Sequence, residues 1–205
     1  NLNEDYDNNK INGILKNLYE TDFFEKINIS IKNNVLKIKV QENPIIQTIE
    51  ITGVKNKSVL ELLKDNLNLK EKNPFVENKV RRDEIKLKNI LKVNGYYFSE
   101  IKSKIKNNIN NTVDLKYEIN LGEKAYISSI KFIGDKKIKD RKLKNIIVSE
   151  ESKFWKFISK KKFVDSNRIK LDEKLLKNYY KNNGYYNVKV YSSFAQLIDS
   201  NNFEL

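Results

Sequence analysis

The sequence predicts an α+β fold of tandem β-α-α-β-β modules, each a three-stranded mixed sheet with two helices on one face, and three observations carry that prediction. The stretch Lys88–Phe98, KNILKVNGYYF, returns as Lys177–Asn187, KNYYKNNGYYN, and in weaker form as Lys16–Glu25, KNLYETDFFE. Each copy joins a segment of helical periodicity to one in which apolar and polar residues alternate. The glycines keep the register: Gly134 follows Gly53 by 81 residues, and Gly184 follows Gly95 by 89. A fixed period of this size marks one supersecondary unit used repeatedly.

The elements follow in order. Over Asn12–Glu20, Ile14, Leu15 and Leu18 fall at helical spacing, and Thr21-Asp22 ends the segment. Ile27, Ile29 and Ile31, then Leu36, Ile38 and Val40, alternate with polar residues across a turn at Asn33-Asn34, which predicts a hairpin with one apolar face. A helix and a hairpin bury little alone, so 1–43 reads as the second half of a module.

The next module runs over 44–123. Ile49 and Ile51 lie in a strand that ends at Gly53. Ser58-Val59-Leu60-Glu61 has the form of a capping box, with a short helix from Val59 to about Asn66. A second helix over about Asn78–Val93 carries Val80, Leu87, Ile90 and Leu91 on its inner side and stops at Asn94-Gly95, where glycine takes the left-handed conformation of a C-cap. Ile101, Ser103 and Ile105 then alternate with Lys102, Lys104 and Lys106; Asn107–Asn111 turns; Val113, Leu115, Tyr117 and Ile119 return.

The module over 124–205 replays this order. Ile130 and Phe132 mark its first strand, and Asp140 is placed to cap a helix over about Arg141–Val148. A long helix near Ser166–Lys181 closes on Asn183-Gly184, and Val188, Val190, Ser192 and Phe194 form the next strand. Eight extra residues lie between its two helices, including Phe154-Trp155-Lys156-Phe157-Ile158, an aromatic cluster that either covers the module's own core or fills a joint with a neighbour. Gly95 and Gly184 are read as structural helix caps, with the tyrosines after them packing a strand onto the helix. The polar start NLNEDYDNNK, and an end at Phe203-Glu204-Leu205 just as a strand begins, predict a piece of a longer protein.

Composition narrows the function. The net charge of +13 invites nucleic acid as a partner, but 36 of the 40 basic residues are lysines spread along the chain, and Arg81, Arg82, Arg141 and Arg168 are scattered. Such lysines read mainly as a solvated surface. Without Cys there is no thiolate chemistry or disulfide, and without His the commonest general base and metal ligand are missing. The adjacent carboxylates Glu150-Glu151 and Asp172-Glu173 read as exposed charges. No catalytic, cofactor-binding or metal-binding residue is therefore assigned.

The module order, its glycines and three stretches together resemble the POTRA domains of BamA-like outer-membrane assembly factors. The stretches are Leu18–Ile29, Pro44–Gly53 and Phe154–Val190. They resemble the end of the family's first POTRA domain, the start of its second, and its third with the insertion. Asp22 departs from the glycine or asparagine usual at its position, and its strand follows one residue sooner, which puts the cap geometry of that copy in question.

The resemblance implies a periplasmic scaffold tethered to the outer membrane by its own C-terminal β-barrel. It implies accessory assembly lipoproteins and unfolded outer-membrane β-barrel proteins as partners, with no cofactor and no reaction. Such a client adds a strand to an exposed sheet edge, where backbone hydrogen bonds give affinity that depends little on sequence. In the family, the strand after the long helix lies at an edge. The expected edge in the third module is Tyr186, Asn187, Val188, Lys189, Val190, Tyr191, Ser192 and Ser193, and secondarily Phe98–Lys106 in the second, where the three lysines are read first as protection of an edge against pairing. By position, Ile147, Val148, Ser149 and Asp199 are candidate lipoprotein contacts. Another POTRA-bearing transporter, TamA-like or a chloroplast import channel, and a basic nucleic-acid-binding repeat protein are the competing readings.

Overall fold

A computed structural model describes residues 8–33, 35–134, 137–153, 155, 159–191 and 193–205. Packing divides the chain into two units. One takes in the residues up to Lys86 together with Ile101–Glu118, and the other Leu87–Glu100 together with Ile119–Leu205.

In the first unit, α1 (Asn8–Glu20) leads into the antiparallel hairpin β1 (Phe24–Lys32) and β2 (Val35–Glu42). Asn33 turns that hairpin at φ 50°; Asn34 lies outside the described residues. Asp22 answers the question its sequence position raised. It takes φ 62°, the left-handed conformation of a helix end, and its N–H bonds to the Tyr19 carbonyl at 3.1 Å. An Asp tolerates this region better than most residues.

A mixed three-stranded sheet follows, in the order β3 (Ile45–Thr52), β5 (Thr112–Asn120), β4 (Glu100–Asn108). The central strand β5 runs parallel to β3 and buries every second residue, Val113, Leu115, Tyr117 and Ile119. One face of the sheet is therefore covered and the other wet. The helix α2 (Lys57–Asp65) begins a little earlier than the capping-box pattern predicts. Its cap is Asn56, whose Oδ1 accepts the Val59 N–H at 3.2 Å and the Ser58 hydroxyl at 2.8 Å. An extended Asn one residue before the helix reaches the orphan N–H first, so Ser58 binds the cap instead of forming it.

The long helix α3 (Glu77–Val93) buries Val80, Asp83, Leu87 and Leu91, one helical face on which the only charge is Asp83. That carboxylate is fully buried. It accepts the Asn68 N–H at 2.7 Å, the Asn68 side-chain amide at 2.8 Å, the Leu69 N–H at 3.1 Å and the Tyr117 hydroxyl at 3.3 Å. The loop leaving α2 is thereby tied to α3.

The second unit has a smaller sheet in the order β6 (Tyr126–Ser129), β8 (Asn202–Glu204), β7 (Gln196–Leu197), with β6 parallel and β7 antiparallel to β8. Strand β6 starts 81 residues after β3, as the repeat predicts, yet stops short of the expected Ile130 and Phe132. Its backbone bonds to the segment after β8 continue nonetheless: the Leu205 N–H donates to the Ser129 carbonyl at 3.0 Å and the Lys131 N–H to the Leu205 carbonyl at 2.8 Å. The short helix α4 (Asp140–Lys144) has Lys139 at its N-cap, and Asp140 lies in the first turn instead, where a negative charge suits the helix dipole. The long helix α5 (Ser166–Asn182) is capped by Asp165, which accepts the Asn167 and Arg168 N–H groups at 2.9 and 3.3 Å. Ala125, Ile127, Ile130, Val164, Ile169 and Phe203 form the core.

Two charge assignments are corrected here. Asp172 is buried, and it accepts the Val148 N–H at 2.6 Å and the Ser149 N–H at 3.2 Å, so it does for α5 what Asp83 does for α3. Glu150 and Glu151 are half-buried, and Glu151 accepts the Ile130 N–H at 3.0 Å and the Lys144 ammonium at 2.5 Å. Glu173 is likewise half-buried, paired with Lys177 one turn on and accepting the Ser193 hydroxyl at 3.4 Å.

Asp172→Ala removes the acceptor for two backbone N–H groups in the interior and is expected to cost about 2–4 kcal/mol in denaturant unfolding. Glu173→Ala, which loses one i,i+4 pair, should cost less than about 0.5 kcal/mol.

The same bonds set a pH window. Burial, reinforced by the charge of Asp83, pushes the Tyr117 hydroxyl well above its ordinary 10.0, so the folded form resists ionisation and stability falls as pH rises past 10. Burial works against ionisation of Glu151, but Lys144 and the Ile130 N–H outweigh it and hold the carboxyl below its ordinary 4.5. Its contribution is present above pH 4.5 and fades on acidification. Urea midpoints across pH should show both limbs; Tyr117→Phe should flatten the alkaline limb and Glu151→Gln the acid limb.

Candidate interaction edge and junction

The two edges of each sheet are treated differently. In the first unit, the loop before α3 lies along the outer side of β3. The Ile46 N–H donates to the Asn73 carbonyl at 2.9 Å, the Lys72 N–H to the Ile46 carbonyl at 2.8 Å, and the Ile49 N–H to Glu71 Oε1 at 3.0 Å. In the second unit, the Ser152 N–H bonds to the Ile127 carbonyl at 2.7 Å, and the Ile130 N–H bonds to Glu151. Glu71 and Glu151 thus occupy equivalent places, each occupying a strand N–H that would otherwise invite pairing.

The opposite edge of the first sheet is β4, nine residues long, alternating half-buried Ile101 and Ser103 with exposed Lys102 and Lys104. Ser103 donates to Glu84 on α3 at 2.6 Å, and Lys104 pairs with Glu118 on the neighbouring β5 at 2.7 Å. These bonds engage side chains and hold the strand flat against β5. Ile105 is exposed near its end.

The expected edge in the third module takes another form. Tyr186, Asn187, Val188, Lys189, Val190, Tyr191 and Ser193 carry no strand pairing; Ser192 lies outside the described residues. Strand pairing with β8 is recorded at Gln196 and Leu197. Val188 and Val190 are half-buried and Tyr191 is exposed.

Of the other predicted contacts, Ser149 is buried, Ile147 and Val148 are half-buried and Asp199 is exposed. Ile147 packs against the core, Ser149 is buried, and the N–H groups of Val148 and Ser149 are held by Asp172. Asp199 is exposed in the β7–β8 turn and accepts the N–H groups of Asn201 and Asn202, both at 3.0 Å. Those bonds, the Asn201 N–H first, hold its carboxyl below the ordinary range. Trp155 is 56% exposed with Lys153 over its ring at 5.6 Å; Phe154, Lys156, Phe157 and Ile158 lie outside the described residues.

Gly95 does more than cap α3. It takes φ 99°, and a Cβ built on it would sit 2.7 Å from the Phe163 ring. Its carbonyl accepts the Ala125 N–H at 2.9 Å. Tyr97 meets Phe203 edge-on at 4.8 Å, Phe98 stacks on Phe203 at 6.0 Å, and the Lys124 ammonium lies over Tyr96 at 5.2 Å. Tyr97 therefore packs against the second unit's core and Tyr96 lies under Lys124, whereas the sequence reading has both tyrosines pack a strand onto the preceding helix.

Among the described residues, no group of three or more His, Cys, Asp or Glu side chains could hold a metal ion, and no helix is long and apolar enough to cross a membrane. The architecture is a repeated α+β unit whose first sheet edge is covered by its own loop in both units. Residues 44–122 and 125–203 each match the model of the POTRA family, described as a surface antigen variable number repeat, and the chain belongs to that family.

The chain is 25% identical over 198 residues to outer membrane protein assembly factor BamA of Neisseria meningitidis serogroup B, covering 95% of this chain and 25% of that protein. It is 28% identical over 177 residues to BamA of Buchnera aphidicola, covering 84% and 28% respectively. The chain thus spans about a quarter of the length of these relatives. Its fold is similar to the crystal structure of Haemophilus ducreyi BamA lacking POTRA domains 1–3, with TM-score 0.51 and 19% identity over 78% of this chain and 28% of that one. These are POTRA domains of a BamA-like protein.

Gly95→Ala and Gly184→Ala separate conformation from packing. Both force an alanine into the left-handed region, at about 1–2 kcal/mol. Only the first also overpacks Phe163, which adds about 1–3 kcal/mol. Denaturant unfolding of the 205-residue chain should rank Gly95→Ala clearly below Gly184→Ala.

Proposed function

We propose that this chain is the periplasmic POTRA scaffold of an outer-membrane protein assembly machine and that it takes extended segments of unfolded β-barrel clients on β4. On this reading the modules run over 1–43, 44–123 and 124–205. The observation that carries the reading is the asymmetry of the first unit's sheet, with β3 covered by its own loop and β4 offered over nine residues. A client strand would bond to the β4 backbone whatever its side chains, which suits a receptor for many sequences.

The exposed lysines of β4 give the edge a second property. They discourage pairing with a second copy of the same basic edge and favour a partner carrying carboxylates. The segment Tyr186–Ser193 is the weaker site, since a client there would have to impose an extended form before pairing. Accessory lipoproteins would meet the β7–β8 turn, where Asp199 stands with exposed Ile198, and not Ile147–Ser149, which serve the core. The protein would be held at the outer membrane by a barrel of its own polypeptide.

Amide hydrogen exchange tests the β4 site. With a saturating synthetic peptide of alternating apolar and polar residues, taken from an outer-membrane β-strand, amides within 100–108 should gain about tenfold or more in protection. Peptide binding with protection confined to other segments rejects the site. Val190→Pro should leave peptide affinity unchanged, and a strong loss there would return the site to the third module.

A further inference from the structure

The two sides of the β4 edge differ. On the side of the sheet away from the helices, the acids of β5 are already engaged. Asp114 accepts the Thr48 hydroxyl at 2.7 Å and the Asn108 side-chain amide at 3.0 Å, and Glu118 is paired with Lys104 and Lys116. The rim of that side is left to Lys102, Lys104 and Lys106, all exposed.

The side beneath α3 is framed by isoleucines. Ile101 is half-buried and Ile105 is 42% exposed, and between them the Ser103 hydroxyl bonds to Glu84 of α3 at 2.6 Å. Glu84 therefore marks the flank of α3 that stands over β4. Arg81, one turn earlier, is exposed on the same flank, and Ile85, one turn after Arg81, is 64% exposed beside it. The edge thus carries three lysines on one side, and Ile101, Ile105 and Ile85 with a single arginine on the other.

A strand that spans an outer membrane has the complementary pattern. It is about 9–11 residues long and alternates an apolar, lipid-facing side with a polar one, and β4 is nine residues long. Neighbours on the same face of paired strands stand about 5 Å apart. One side of an added strand would therefore lie against the lysines and the other against Ile101 and Ile105. A slip of one residue would exchange the two sides and set apolar side chains among ammonium groups.

We propose that β4 selects which face of a client strand it takes, and which charge that face carries. The polar face lies over Lys102, Lys104 and Lys106 and is preferred when it bears carboxylates. The apolar face lies beneath α3, against Ile101 and Ile105 and within reach of Ile85. Arg81 on that side and the lysines on the other make both sides unfavourable for a basic strand. The substrate class is an amphipathic strand of alternating apolar and acidic residues. This selectivity rests on β4 being the client edge.

Three fluorescein-labelled peptides, tested on the 205-residue chain, decide this. They share the same alternating apolar residues and carry Glu, Gln or Lys at every intervening position. Fluorescence anisotropy should show the Glu peptide binding about tenfold or more tighter than the Gln peptide, with the Lys peptide weakest. Lys102→Glu combined with Lys106→Glu should invert that order. The faces are read by cross-linking. The chain has no cysteine, so Ile105→Cys and Lys104→Cys each place a single thiol on one side of the edge. On mild oxidation, a peptide cysteine at an apolar position should form its disulfide mainly at 105, and one at a polar position mainly at 104. Equal or reversed cross-linking overturns the proposal. Equal affinity of the Glu and Lys peptides, with amides within 100–108 protected from exchange by both, overturns it while leaving β4 as the client edge. No protection of 100–108 by any of the three peptides removes the client edge itself, and the selectivity with it.

Discussion

A buried carboxylate on each long helix holds this structure together. Asp83 and Asp172 each accept two consecutive backbone N–H groups from the loop that leaves the module's short helix. Loop amides in an interior are costly unless paired, and a carboxylate with several acceptor sites satisfies them at one point. Each bond therefore does two things, ending the short helix and fixing where its exit loop runs against the long one. Tyr117 adds a fourth donor to Asp83 and ties in the central strand as well.

The edge asymmetry follows from that placement. Once the loop is held at Asn68–Leu69, its continuation through Glu71 and Asn73 lies along β3; once it is held at Val148–Ser149, Glu151 and Ser152 lie along β6. A sheet of three strands has two edges, and an uncovered edge is an open row of donors and acceptors. Here one edge is closed from within the module, so only the hairpin strand is left to face partners. The proposed receptor role would use that selectivity, because two open edges would let modules pair with each other as readily as with a client.

The junction serves the tandem arrangement by a different physics. A glycine cap lets the helix stop and the chain turn, and the missing Cβ leaves room for an aromatic ring from further along the chain. One small residue thus brings the end of α3 against the Phe163 ring within the second unit. The lysine-rich surface surrounds these apolar contacts without entering them, apart from ammonium groups laid over ring faces at Tyr96, Tyr97 and Tyr126.

Much of the fold was legible in the sequence, because α3, α5, β4 and β5 have strong periodicity and unambiguous stops. Those elements appear close to their expected bounds, and the repeat order pointed to the family. The interactions that position the edge were not legible. Asp83 and Asp172 lie 89 residues apart, as Gly95 and Gly184 do, so the repeat spacing marked them. An Asp on an otherwise apolar helical face nonetheless reads as a surface charge until the amides facing it are known. Local pattern by itself determined the modules, their caps and their strands' inner faces, since those depend on residues near in the chain. Which edge is closed and which junction tyrosines are covered were decided by tertiary structure. Each depends on a partner that lies 14 or more residues away, and no local pattern encodes it.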